Sequence, residues 1–163
     1  MDRSVIGRDA PCLPRLVWDV PIFRGNSLVG VKRLVRWVIP AKPNSGYRVL
    51  VVDDLADVTD LLSELLRKRG FQVSTAYDGV AGLEAVRLHL PDLVLLNFIM
   101  PGLDGLQVLA RLRADPRTAR VKVIIHSATP IRERACLAGA HDFLKVPFAC
   151  DELHASIARV LGA

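Results

Sequence analysis

Three short runs with almost wholly apolar centres constrain this chain more than any other feature: RVLVV at 48–52, DLVLLN at 92–97 and VKVIIH at 121–126. A strand with one wet face alternates apolar and polar residues. A strand that is apolar at successive positions is buried on both faces, as in a parallel sheet covered by helices. The intervening segments carry helical periodicity. Val58, Leu61, Leu62, Leu65 and Leu66 fall on one helical face, and Gly70 stands where that helix ends. FQVSTA (71–76) alternates as an edge strand does, and a second helix is predicted from about Gly79 to His89. A third is predicted from about Asp104 to Ala114, and a short fourth over roughly Ile131–Ala138. DFLKV (142–146) reads as a fifth strand, and Leu153, Ile157, Val160 and Leu161 mark a last helix. Five strands alternating with five helices predict an α/β, doubly wound, five-stranded parallel sheet with helices on both faces.

In such a sheet ligands bind outside the carboxyl ends of the strands. Asp53 and Asp54 follow the first strand, Asn97 ends the third, Ser127 follows the fourth, and Val146-Pro147 follows the fifth. Two adjacent aspartates are costly in an apolar site unless something satisfies them. Oxygen ligation of a hard cation such as Mg²⁺ would do so. So would a plainer arrangement in which one caps the next helix and the other is solvated. In LVLLNFIMPGLDG (93–105) the strand end carries an amide, Asn97, where a reactive group is expected.

The pieces VLVVDD (49–54), PDLVLLNFIMPGLDG (91–105), VIIHSA (123–128) and GAHDFLKVPF (139–148) strongly resemble the receiver domain of two-component response regulators, over residues 47–161. The resemblance implies the strand order 2-1-3-4-5, a Mg²⁺ site on the acid pair, and an aspartate that takes a phosphoryl group from a histidine kinase. Carried over residue by residue, Asp53 and Asp54 match the acid pair, and Ile99 matches the position whose backbone carbonyl helps hold the metal. Ser127 matches the hydroxyl residue that contacts the phosphoryl group, and Phe143 the aromatic switch residue. Asn97 falls at the phosphoacceptor position. Val146 replaces the family's Lys, with Lys145 one residue early, and the segment between Ser127 and Gly139 is about three residues short, close to one helical turn.

Each departure has a chemical consequence. Phosphoryl transfer to an enzyme carboxylate needs an anionic oxygen, and an amide oxygen is neutral with a delocalised lone pair. Lys145 is aimed to the opposite side by strand alternation, unless a bulge restores it. The pocket is expected to hold Mg²⁺ weakly, through Asp53, Asp54, the Ile99 carbonyl and, as a neutral ligand, the Asn97 amide oxygen. The expected function is a stand-alone receiver-like protein of phosphorelay signalling, not an enzyme, which works through protein contacts without accepting phosphate. Its alternatives are a response regulator phosphorylated at an unorthodox site, or an anion- or nucleic-acid-binding module. Expected partners are a histidine kinase or another signalling protein. A weak homodimer through the fourth helix, fifth strand and fifth helix is a further expectation, and nucleic acid is not an expected partner. His126 and His141 read as packing or surface residues, because neither lies on the helical bundle that a phosphotransfer histidine needs.

Charge divides the chain. Residues 1–45 hold eight Lys/Arg against three Asp, whereas 46–163 hold fourteen of each sign, so the whole net charge of +5 belongs to the first segment. That segment also holds both tryptophans (Trp18 and Trp37) and five of the ten prolines. It is read as a basic, Pro-rich extension (1–45) that lacks a stable fold, ahead of a receiver-like domain (46–163). Within it LVGVKRLVRWVI (28–39) is a basic amphipathic pattern of the kind that meets anionic membranes or nucleic acid. No apolar run approaches the roughly 20 residues that span a bilayer, and the start has no continuous apolar stretch of a signal peptide. Three widely spaced cysteines, Cys12, Cys136 and Cys150, point to a reducing compartment. The expected location is cytoplasmic, and the last residue, soon after the fifth helix, gives the expectation that no DNA-binding output domain follows.

Overall fold

The computed structural model describes residues 46–162, so the expectations for the basic extension lie outside the described residues. In chain order the elements are β1 (Arg48–Val52), α1 (Ala56–Lys68), β2 (Gln72–Ala76), α2 (Gly79–His89) and β3 (Leu93–Asn97). They continue with α3 (Gly105–Ala114), β4 (Lys122–Ser127), α4 (Arg132–Leu137), β5 (Asp142–Lys145) and α5 (Cys150–Leu161). All neighbouring strands pair in parallel, in the order β2-β1-β3-β4-β5. The expected doubly wound sheet is present.

The apolar strand centres feed two separate cores. Leu50, Val52, Val94, Leu96, Val123 and Ile125 face the side covered by α2 and α3. Their alternates Val49, Val51, Leu93, Leu95 and Ile124 meet Leu62 and Leu66 of α1 and Leu153 and Ile157 of α5. Burying each such side chain contributes about 1.5–3 kcal/mol. This double demand is why these strands show no alternation. β2 lies at the sheet's edge and does alternate, with Gln72 and Ser74 exposed and Val73 and Thr75 half-buried.

On α1 the buried stripe differs from the expected one. It runs through Thr59, Leu62, Ser63 and Leu66, while Leu61 is 57% exposed. The Thr59 hydroxyl donates to the carbonyls of Asp53 (3.2 Å) or Leu55 (3.1 Å), so a polar residue is satisfied there and sets the helix rotation. At the fourth helix the shortened spacing leaves a helix of only six residues, Arg132–Leu137.

Candidate functional site

The carboxyl ends of β1 and β3 are adjacent in the sheet, so Asp53, Asp54 and Asn97 converge. Local sequence fixes this meeting. Gly105 donates its N–H to the Phe98 carbonyl at 2.8 Å. A Cβ at Gly105 would lie 2.5 Å from the Asn97 carbonyl oxygen, so only glycine lets α3 start this close to the end of β3. Asp104 caps that helix by accepting from Gln107 N–H at 2.7 Å, while the Gln107 side chain accepts from Asp104 N–H at 3.0 Å. Gly102 adopts φ +77° in the turn between them, a conformation that favours glycine.

Within the pocket the Asn97 amide nitrogen faces three oxygens. It donates to the Ile99 carbonyl at 2.8 Å, to Asp54 Oδ1 at 3.1 Å and to Asp53 Oδ1 at 3.3 Å. Its Oδ1 turns away and accepts from Ile99 N–H at 3.3 Å. Charge dictates the orientation, since the amide oxygen turned inward would face two carboxylates, whereas NH₂ offers them donors. Two hydrogens serve three acceptors, so the longest contact, to Asp53, is the weakest. Asp53 Oδ1 also accepts from Leu55 N–H at 3.0 Å, but Leu55 is itself the N-cap of α1 and neither aspartate caps that helix.

Asp53 is buried, and burial is the main cause that raises its carboxyl above the usual range, with the neighbouring Asp54 charge adding to it. The Leu55 and Asn97 hydrogen bonds pull the other way. Beneath it His126, on β4 opposite Asn97, holds Nε2 3.6 Å from Asp53 Oδ2. This geometry resembles an ion pair, but burial lowers the His126 imidazole to about 4, so at neutral pH it is uncharged. Its Nε2 has no hydrogen-bond partner among the described residues, and its ring meets Phe148 edge-on at 6.3 Å between centroids. Of the packing or surface roles expected for His126, the structure shows packing, but its contact with Asp53 was not legible, because no motif in the sequence links the two positions.

The remaining predicted residues sit on β4 and β5. Ser127 is buried at the end of β4, and its hydroxyl accepts from Thr129 N–H at 3.0 Å. Phe143 is 3% exposed in the α2–α3 core, with the Arg132 guanidinium 5.5 Å above its ring. The pairing of β5 with β4 runs without interruption from Ile124↔Asp142 to Ser127↔Lys145, so no bulge re-aims Lys145. It is exposed and lines a surface groove with Arg132 and Phe143, while Val146, half-buried, continues the ladder by donating to Ser127 O at 2.9 Å. Sequence reading missed Asp142, which is buried and accepts from Ser156 Oγ at 2.6 Å, from Arg132 at 3.2 Å and from Arg159. An acid opening a buried strand was the available signal.

As a Mg²⁺ site the donor set is incomplete. Two carboxylates and one carbonyl converge, but the space among them is taken by the Asn97 NH₂ group, which cannot ligate a cation. The expected amide oxygen is on the far side. Among the described residues no group of three or more His, Cys, Asp or Glu could hold a metal ion. The residues as arranged do not fit the ion.

Comparison with known proteins agrees with the fold. Residues 49–158 match the response regulator receiver domain. The chain is 41% identical over 115 residues to the transcriptional regulatory protein PrrA of Mycobacterium tuberculosis, covering 70% of this chain and 49% of PrrA. It is 37% identical over 111 residues to the transcriptional regulatory protein YrkP of Bacillus subtilis, covering 68% and 48% respectively. This chain thus spans about half the length of the curated relatives it matches. Among solved structures, the receiver domain of the sensor histidine kinase PA1611 of Pseudomonas aeruginosa superposes with a TM-score of 0.66 at 28% identity, covering 72% of this chain and 99% of that one. That domain holds a magnesium ion in its active-site cleft. No helix among the described residues is long and apolar enough to cross a membrane. The fold, strand order and matched motifs lead to one conclusion: this chain belongs to the response regulator receiver domain family of two-component signalling.

Proposed function

We propose that this receiver domain works in two-component signalling through protein contacts and forms no aspartyl phosphate. The observation that carries the reading is the amide of Asn97 at the carboxyl end of β3, hydrogen-bonded to Asp53 and Asp54. A nucleophile there must be an anionic oxygen, and the atom turned toward the acid pair is a nitrogen that donates. Support comes also from β5. Lys145 points to the outer groove beside Arg132, and Val146 offers no cation to offset phosphoryl charge. The domain is read as a binding module with no turnover of its own. Its contact face is α4, β5 and α5, where Arg132, Lys145 and Arg159 surround Phe143 and Leu137 is 89% exposed. That surface suits an acidic protein partner, whether a kinase, another signalling protein or a second copy of the domain. The cytoplasm is its proposed location.

Incubation with acetyl phosphate and Mg²⁺, followed by intact mass, tests the reading. The expected result is an unmodified wild type, little stable adduct in Asn97→Asp, and more in Asn97→Asp combined with Val146→Lys. A hydroxylamine-labile phosphoryl adduct on Asp53 or Asp54 of the wild type would overturn it and favour phosphorylation at an unorthodox site.

A further inference from the structure

We propose that the NH₂ group of Asn97 stands in for a divalent cation among the oxygens of Asp53, Asp54 and Ile99, so that the acid pocket is held together by an internal donor and excludes Mg²⁺. The three acceptors come from the end of β1 and the turn after β3, and a single nitrogen at the end of β3 lies within 2.8–3.3 Å of all of them. Mg²⁺ would bind such oxygens at about 2.0–2.1 Å in the same space. The ion and the amide nitrogen therefore compete for one position.

Admitting the ion requires the amide to leave or to rotate. Rotation by half a turn breaks the contacts to all three oxygens at once. It also brings NH₂ against the Ile99 N–H, which now donates to Asn97 Oδ1 at 3.3 Å. Two donors would then face each other, with no acceptor between them. The neutral amide leaves the pocket with two carboxylates, and charge count sets much of the affinity for a hard cation. The exchange is therefore unfavourable on both sides: bonds are lost on entry, and little charge is available to compensate.

The β1–α1 and β3–α3 turns are thus tied together by Asn97 whether or not divalent ions are present, so the surface they form is the same at any Mg²⁺ concentration. Exclusion of the metal does not depend on the phosphoryl reading. Its experiment uses no phosphodonor, so the two stand or fall separately.

The test is a titration of the backbone amide and Asn97 side-chain NMR signals with MgCl₂, repeated with MnCl₂ for paramagnetic broadening, on the full chain. Wild type is expected to show no saturable change at residues 53–54 and 97–99 up to about 10 mM, equivalent to a Kd weaker than that value. Asn97→Ala deletes the competing donor and exposes the two carboxylates, so it should bind Mg²⁺ at least about tenfold more tightly than wild type. Asn97→Asp should bind more tightly still. If the amide oxygen were a ligand, Asn97→Ala would instead bind no better than wild type. Saturable wild-type binding below about 10 mM, or an Asn97→Ala protein with no gain, overturns the proposal. Should Asn97→Ala lose its dispersed spectrum, Asn97→Gln serves in its place. Its longer side chain cannot keep all three contacts, so it too should gain affinity, and its failure to gain any is equally decisive.

Discussion

Asp53 and Asp142 are buried to almost the same degree, at 2% and 4% exposure, and the protein treats them in opposite ways. Asp142 opens β5 and is reached by the guanidinium groups of Arg132 and Arg159, by Ser156 Oγ and by the N–H of Phe143. Burial acts to raise its carboxyl, but the Ser156 and Arg159 hydrogen bonds, the Phe143 N–H and the Arg159 charge outweigh it and lower it below the usual range. Asp53 has a second acid beside it, one backbone N–H, and the weakest contact of a shared amide, and its carboxyl is raised. Burial is common to both. What differs is the presence of a cation. A site kept for structure supplies its own counter-charge, whereas the acid pocket retains carboxylates that no Lys or Arg among the described residues pairs with. Unpaired acids at a strand end violate a rule of stable folds, and such violations concentrate where function is or was located.

Removing Asp142 should break this comparison most strongly. Asp142→Ala leaves Ser156 Oγ buried without its acceptor and unties α4 from α5, since Arg132 and Arg159 both converge on that carboxylate. Loss of one partner of a buried ion pair costs about 3–5 kcal/mol. Both arginine side chains are more than half exposed and can rehydrate, which brings the expected loss to about 3 kcal/mol. Urea unfolding at neutral pH measures it, and a loss under about 1 kcal/mol would mean that the clamp is ornamental.

Titration gives the next effect. His126 is lowered to about 4 by burial, and His141 is lowered to about 4 by burial together with the nearby Lys122 and Arg113 charges. Both have folded values below the ordinary 6.5, so the unfolded chain binds more protons between those limits. Their contribution to stability is complete above about 6.5 and is lost as pH falls toward about 4. Asp53 has the opposite sign, because its raised carboxyl takes up a proton more readily in the folded state. His154, also lowered by burial, adds to the loss, so stability is expected to fall between pH 7 and pH 4.5. His126→Leu, which removes one of the three lowered histidines and leaves Asp53, should flatten the acid limb when the thermal midpoint is followed against pH. An unchanged limb would show that His126 is not held neutral.

Much of the fold was legible because its signals are local. The runs at 48–52 and 93–97 became β1 and β3 with both faces buried, and α2 occupies Gly79–His89 as predicted. Boundaries moved where a hydrogen bond decided them. Phe71 reads as the first residue of an alternating strand, yet its N–H returns to Leu66 O at 3.3 Å, so β2 begins at Gln72. Asp104 reads as helical and is the cap outside α3. At the site, motif spacing placed Asp53, Asp54, Asn97 and Ile99 together, and alternation along β5 correctly aimed Lys145 away from Val146. The rotation of an amide was beyond reach, because it depends on which charges surround it in space. The same holds for His126 beneath Asp53 and for Arg132 over Phe143. These partners come from different strands and helices, with no fixed offset in sequence.

The smallest predicted effect is the sharpest probe of the difference between the two aspartates. Asp53→Asn removes a charge that burial disfavours, yet keeps an Oδ1 in place to accept from Leu55 N–H and Asn97 Nδ2. The new amide nitrogen would take the position of Oδ2, 3.6 Å from His126 Nε2, which has no hydrogen-bond partner among the described residues and whose ring is uncharged at neutral pH. It would gain an acceptor there while repulsion from Asp54 disappears. The expected outcome at pH 7 is a small gain in stability, because the charge that burial disfavours is gone. Asp142→Asn, the same change at the clamp, should destabilise, because it removes the charge that both arginines share. Measured side by side by urea unfolding, the two substitutions should differ in sign. If Asp53→Asn destabilised as Asp142→Asn does, Asp53 would have to be held by a cation in the folded protein, and the contrast between pocket and clamp would fail.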